Sequence, residues 1–313
     1  MGNPVSVVIP TYNGAKFIER ALRSIFAQSY LPGEVIVVDD LSSDGTPDIV
    51  VGLAKGAPTP VRVIRLPKNS GGPGRPLNIG VGAASGEIIA LLEQDDLMRP
   101  LRIEKQWEAA RQFPDCSLIT GRCTVYGNAD GDMRPVWPVP QFDGVVDDID
   151  SQPEFFVLDP QRAFLGLLRR QIMGGHSNFC FAKRSWRNVG GFSEKGRVCV
   201  DLDFAFKAVL SGSVVIVNHF VTDYAYRADS LFRRDLSRSS IEVALVRLMF
   251  ATKRKHWAAE EVPALQSTSL GYARMALLQR DWSTLARVAV PILRYVDVRF
   301  ALRALSGRRI AKI

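Results

Sequence analysis

Hydrophobic positions along the first 120 residues follow two alternating patterns. Val5–Ile9, Val35–Val38, Val61–Leu66 and Ile88–Leu92 are short runs rich in β-branched residues, the mark of strands, and Ile88–Leu92 reads as one covered on both faces. Between them, Ala15–Gln28 sets Phe17, Ile18, Ala21, Leu22 and Ile25 at helical spacing. Thr46–Leu53, Leu77–Ala84 and Leu101–Phe113 continue the helical series, with Ser43 or Asp44 as cap of the second helix and Pro100 opening the last. A strand–helix series of this kind predicts an α/β fold, a mostly parallel sheet flanked by helices.

Regularity fails over residues 127–160, which are rich in Pro, Gly and Asp. A long irregular connection inside a compact enzyme is usually functional, for instance as a substrate lid. Order returns with a helical segment at Phe164–Arg170, a strand at Ser177–Ala182 and a helix at Leu202–Leu210. Two further strands are expected at Val214–Val217 and Val221–Tyr226. From Ser239 onward the pattern is helical, with breaks near Pro263 and Asp281. The expected division is a catalytic domain over residues 1–236, in halves of about 1–126 and 127–236, and a basic helical appendage over 237–313.

Charge sharpens that division. Residues 1–226 hold 23 Lys/Arg against 25 Asp/Glu, and residues 227–313 hold 17 against 7, so the net charge of +8 originates entirely in the tail. The tail carries no nucleic-acid motif and no interleaving of aromatic and basic residues, which argues against nucleic acid as a partner. Ile241, Leu245, Leu248 and Met249 share one face ahead of Lys253-Arg-Lys-His, and Leu285, Val288, Ile292 and Val296 share another while Arg287 and Arg294 fall elsewhere. Such helices either pack on the body or lie against anionic lipid. No apolar run reaches membrane-spanning length and no signal peptide is expected. Cys116, Cys123, Cys180 and Cys199 lack metal-ligand spacing, as suits a reduced, cytoplasmic compartment.

The candidate chemistry lies where the early strands end. After the first strand come Pro10, Thr11, Tyr12 and Asn13; after the second, Asp39 and Asp40; after the fourth, Glu93, Gln94, Asp95 and Asp96. Parallel strands bring these three sets to one sheet edge, where open α/β sheets bind ligands. Alone, Glu93-Gln-Asp-Asp reads equally as a solvated acidic turn. As an oxygen-rich, thiol-free cluster it suits a hard divalent cation, Mg2+ or Mn2+. An aromatic, a base-pairing carboxylate and a metal cluster side by side suit a nucleotide diphosphate. Tyr12 would cover the base, and Asp39 or Asp40 would accept from its N–H.

Val5-Ser-Val-Val-Ile-Pro-Thr-Tyr-Asn, Val37-Val-Asp-Asp-Leu-Ser-Ser-Asp-Gly-Thr, Gly86-Glu-Ile-Ile-Ala-Leu-Leu-Glu-Gln-Asp-Asp and Gly190-Gly-Phe-Ser-Glu, in that order, resemble the family 2 inverting glycosyltransferases of the GT-A fold. The likeness runs over about residues 4–227. It implies a nucleotide-sugar donor, UDP by default, a glycan or lipid-linked acceptor, and a role in polysaccharide or cell-envelope synthesis at the inner membrane face. It also implies that Asp95, with Glu93 in place of the usual first Asp, holds the cation. Asp201 matches the general base, and Val200 stands where the family carries Glu. Arg75 and Asn78 in the glycine-rich loop, and Arg227 after Tyr226, are candidates for the donor phosphates, and His176 and Asp203 for the acceptor. Other classes fit less well. A nucleotidyltransferase calls for a basic Gly-rich loop after the first strand, and a dehydrogenase for Gly-x-Gly-x-x-Gly there. A non-catalytic nucleotide-sugar-binding protein is kept open by Glu93 and Val200.

Overall fold

The computed structural model describes residues 3–127, 135–138, 142–227, 229–234, 239, 242–243, 246–247 and 249–250. The elements, in chain order, are β1 (Val5–Thr11), α1 (Ile18–Phe26), β2 (Glu34–Asp39), α2 (Thr46–Ala54), β3 (Val61–Arg65), α3 (Gly74–Ala83), β4 (Ile88–Leu91), β5 (Leu97–Met98) and α4 (Arg102–Gln112). They continue with β6 (Leu118–Tyr126), β7 (Pro135–Pro138), β8 (Phe155–Leu158), α5 (Pro160–Arg169), β9 (Cys180–Ala182), α6 (Lys183–Asn188), α7 (Val200–Ser211), β10 (Val214–Ala225) and α8 (Leu231–Arg234). A 3-10 turn at His176–Asn178 precedes β9.

Strands run in the order β3-β2-β1-β4-β9-β6-β10-β5, with β7 on β6 and β8 on β10. The parallel arrangement expected from the sequence holds for β3, β2, β1 and β4. Beyond β4 the sheet is mixed: β9 runs antiparallel to both β4 and β6, while β6 and β10 are parallel to each other. Every residue of β1 is buried, because helices cover both faces. On one face Ile18, Ala21, Leu22 and Ile25 of α1 pack with Val7, Ile9, Val35 and Val37. On the other, Val8, Ile36 and Val38 meet Leu77 and Val81 of α3, in a core that extends to Phe179, Phe181, Phe204 and Phe206. Phe204 links the aromatic part of that core, stacking on Phe192 with centroids 4.3 Å apart.

Several boundaries differ from expectation for identifiable reasons. Neither Ser43 nor Asp44 is the α2 cap residue; Gly45 is, and Asp44 instead accepts from the Thr46 N–H at 3.0 Å. The two strands expected after residue 213 are one, β10, whose register breaks between Val217 and Thr222 let Asn218 and His219 bulge without ending the strand. Its partner β6 escaped notice because Thr120, Gly121, Arg122 and Thr124 interrupt its apolar run. Within the irregular stretch, β8 forms along β10.

The tail is described only at residues 239, 242–243, 246–247 and 249–250, all helical. There the inward side is Ser239, Val243, Val246 and Phe250, whereas Met249 is 39% exposed. The apolar face expected through Met249 is therefore rotated, because Phe250 inserts against Phe206 with ring centroids 4.7 Å apart. Ile241, Leu245, Leu248, Lys253 and the later helical expectations lie outside the described residues. Among the described residues no helix is long and apolar enough to cross a membrane.

Candidate active site

A cleft of about 360 Å3 opens along the tips of β1, β2 and β4. Pro10, Thr11, Tyr12 and Asn13 form one wall with Asp40; Glu93, Gln94 and Asp95 lie at its floor; Arg197, Arg227 and Arg234 bring positive charge from the later chain. Asn69, Gly71, Gly72 and Pro73 of the preceding loop and Pro76 of α3 close the remaining side.

The β1 tip is braced by Gln94. Its Oε1 accepts from Thr11 Oγ1 at 2.6 Å and from the Tyr12 N–H at 2.9 Å, and its amide donates to Tyr12 O at 3.2 Å. The Gln94 side chain is thus committed to holding Tyr12, itself 48% exposed over the cleft. A Cβ at Gly14 would sit 2.3 Å from Gln94 Oε1. Gly14→Ala is therefore expected to displace Gln94 and cost about 1 kcal/mol of stability, the order for losing one or two partly buried hydrogen bonds, read by urea unfolding.

The two aspartates after β2 part company. Asp39 is fully buried, accepts from the Ser42 N–H and lies 3.4 Å from Arg65 Nε, so it closes a turn and does not face the cleft. Asp40 does line the cleft, fixed by the Ser70 N–H and hydroxyl, and burial raises its pKa. Arg75 is exposed and outside the lining, although its charge still reaches Asp40. Asn78 is spent on structure, tying α3 to the Gly190–Phe192 turn through Phe192 N, Phe192 O and Trp186 Nε1. Asp203 is paired with Lys207 one helical turn on, at 2.6 Å. Asp39, Asn78 and Asp203 thus have roles other than the ligand contacts expected of them.

Glu93, Asp95 and Asp96 each offer an oxygen within 4.8 Å of the others. Asp95 Oδ2 lies 2.7 Å from Arg227 Nη1, and Arg227 is held in turn by Asp229 and by the Phe17 ring, 3.9 Å from its centroid. Burial, then the Glu93 charge, raises Asp95 to about 6 against the pull of Arg227. Asp96 is pushed well above the carboxylate range by burial and by both neighbours. Its Oδ1 accepts from the Ala225 N–H at 2.8 Å. Its buried Oδ2 has no well-formed hydrogen bond among the described residues, although the Ser177 hydroxyl is close enough to lower its pKa. Three mutually repelling oxygens, one of them orphaned, fit a hard divalent cation.

His176 joins this cluster to the base candidate. Its Nε2 lies 2.7 Å from Glu93 Oε1, and Ser177 Oγ accepts from the Glu93 N–H at 2.7 Å, so one turn grips Glu93 by side chain and backbone. Burial opposes the imidazolium, but Glu93 outweighs it and raises His176; Asp201 adds to the effect. Asp201, in the first turn of α7, accepts from Gln171 Nε2 at 3.0 Å and from the Leu202 N–H at 2.8 Å. Burial raises its pKa, against the favourable charge of His176. Gly175 (φ +67°) makes this approach possible: a Cβ there would lie 3.1 Å from Tyr224 Oη and 3.4 Å from Asp201 Oδ2.

Arg102 is the main residue the sequence did not disclose. It is fully buried, donating to the carbonyls of Leu91, Ser177 and Phe179 and to Thr222 and Gln106, and burial lowers its pKa to about 10. Its signal, an Arg in the first turn after Pro100, is indistinguishable from a surface residue. Arg102→Met strands several buried carbonyls and is expected to cost about 2–3 kcal/mol in urea unfolding. Arg197, Arg234 and Asn69 were missed because nothing in their local sequence marks them: Arg197 and Asn69 stand in loops and Arg234 ends the short α8.

This arrangement is the GT-A fold, a mixed α/β sheet between helices with its ligand cleft at the strand tips. It superposes on S. aureus TarS in complex with UDP-GlcNAc (TM-score 0.65, 18% identity, 97% of this chain and 84% of that one). It also superposes on the mannosyltransferase PcManGT of Pyrobaculum calidifontis in complex with GDP-Man and Mn2+ (TM-score 0.56, 18% identity, 98% and 80%). Residues 6–185 match the model of glycosyl transferase family 2, and the chain belongs to that family. A stretch of 107 residues is 45% identical to the succinoglycan biosynthesis protein ExoO of Rhizobium meliloti, covering 34% of this chain and 29% of that protein. The chain therefore aligns with under a third of that relative's length.

Proposed function

We propose that the protein is a metal-dependent inverting glycosyltransferase, moving a sugar from a nucleotide diphosphate, UDP first among the candidates, to a hydroxyl of a glycan or lipid-linked acceptor. One observation carries this reading. The cleft that presents Tyr12 and Asp40 continues into the Glu93–Asp95–Asp96 cluster, and His176 couples that cluster electrostatically to Asp201.

In this reading the base rests between Tyr12 and Asp40, and the diphosphate lies toward Asp95 and Arg227. Asp95, Asp96 and Glu93 are the residues that would hold Mn2+ or Mg2+. When bound, the cation offsets charge that builds on the departing diphosphate. Arg227 adds a second positive charge on the same side. Asp201 takes the proton of the acceptor hydroxyl as its oxygen bonds to the anomeric carbon and the bond to the diphosphate oxygen breaks. A single displacement inverts that carbon. A raised carboxylate is the stronger base once ionised, and Gln171 with the Leu202 N–H fixes its direction. The basic excess of residues 227–313 suits a place at the cytoplasmic face of a membrane carrying lipid-linked acceptor.

The test is a panel of nucleotide sugars, UDP-GlcNAc and GDP-Man among them, screened for Mn2+-dependent thermal stabilisation and then for nucleoside diphosphate release. Stabilisation with release to an added acceptor is the expected result. Stabilisation without turnover on any acceptor would make the protein a binder, and release of sugar 1-phosphate, the leaving group when the nucleoside monophosphate is transferred instead, would make it a nucleotidyltransferase.

A further inference from the structure

Helix α7 starts at Val200, and the residue ahead of it, Cys199, makes no side-chain hydrogen bond to cap it. Unpaired N–H groups at a helix start need acceptors and favour a negative charge nearby. Here the acceptor comes from more than forty residues away. Glu242 Oε1 accepts from the Val198 N–H at 2.9 Å and from the Cys199 N–H at 3.0 Å. Val200 is 1% exposed, its side chain turned into the core, so no carboxylate is available from that position.

The segment bearing Glu242 is fastened on both sides of this contact. Val243 and Val246 pack on the core, Arg247 Nε donates to Leu167 O at 2.9 Å, and Phe250 stacks on Phe206 at an interplanar angle of 14°. Leu167 belongs to α5 and Phe206 to α7, so the segment bridges α5 and the helix that carries Asp201. Asp201 is the second residue of α7, and its Oδ1 accepts from the next backbone N–H. Whatever fixes the first turn of α7 fixes that carboxylate.

We infer that Glu242 is a positioning residue for transfer: it caps α7 from the tail side and holds the Asp201 carboxylate at the angle from which it takes the acceptor proton. Residue 242 lies beyond the 6–185 stretch that matches the family model. The inference rests on Asp201 being the base, and its test separates the two.

In the full-length chain, Glu242→Ala and Glu242→Gln are compared with wild type by three measurements: amide hydrogen exchange over residues 198–203, UDP affinity with Mn2+, and turnover of UDP-GlcNAc or whichever panel donor reacts. Loss of a helix cap is typically worth about 1 kcal/mol, so Glu242→Ala should speed exchange there roughly fivefold to tenfold. It should lower kcat about tenfold while UDP affinity and donor KM stay within about twofold. Glu242→Gln, which keeps an accepting oxygen, should restore the protection and most of kcat. Unchanged exchange or kcat in Glu242→Ala overturns the inference, as does a parallel loss of UDP affinity or a failure of Glu242→Gln to rescue. Wild-type binding without turnover overturns the assignment of Asp201 as base, and the positioning role with it. Normal wild-type turnover beside an unaffected Glu242→Ala overturns the positioning role alone.

Discussion

Asp201→Asn should keep UDP binding with Mn2+ within about twofold of wild type while lowering sugar transfer by roughly three orders of magnitude, the usual scale for removing a general base. The split follows from geography. Asp201 is outside the cleft lining that holds Tyr12, Asp40 and Asp95, and it is coupled to that cluster by the charges of His176 and Glu93. The asparagine keeps the shape but has a single accepting oxygen, so it retains one of the two bonds from Gln171 and the Leu202 N–H, and it takes up no proton. A second effect has the opposite sign. Because burial raises the Asp201 pKa, ionisation at neutral pH is less favourable in the folded chain than in the unfolded one. Asp201→Asn should therefore melt at the same temperature as wild type or higher at pH 7–8. The advantage should fade as pH falls and the wild-type carboxyl takes up its proton. Undiminished transfer by Asp201→Asn would reject the assigned base.

Asp95→Ala should abolish Mn2+-dependent stabilisation and with it most diphosphate affinity. Asp95 carries the one carboxylate in the cluster that also faces Arg227, so its removal costs the cation a ligand and leaves the guanidinium 2.7 Å from where its partner had been. The wild-type response should also depend on pH in a definite direction. Asp95 is raised to about 6, so protons compete with the metal below that value. The rise in melting temperature on adding Mn2+ should be full near pH 8 and shrink as pH drops through about 6. An Mn2+ response that survives in Asp95→Ala, or that is flat from pH 5 to 8, would remove Asp95 from the metal site.

How far the sequence could be read depended on how local each signal was. The parallel half was legible because β1, β2 and β4 are almost wholly apolar and β3 is rich in β-branched residues, with helices between them. The tips of those strands carried Tyr12, Asp40 and Asp95 into one cleft by topology. Asp39 and Asp40 are chemically identical neighbours, and strand pleating alone decides that Asp39 turns inward to Ser42 and Arg65 while Asp40 faces the cleft. Asn78 sits in a promising loop, yet its amide is consumed by a turn more than a hundred residues away. β6 hid behind its polar residues, and β10 looked like two strands because a bulge imitates a turn. Arg102 and Glu242 act through backbone atoms distant in sequence, so no spacing pattern marks either of them.

The buried guanidinium of Arg102 sets a limit on how this site can diversify. By clasping the end of β4, the 176–178 turn and Thr222 at one point, it rivets the donor-side floor to the wall beside His176. Those two surfaces cannot shift independently without breaking several bonds at once. New ligand preferences are then easiest to acquire along the outer rim, through exchanged loops, while the riveted centre stays as it is.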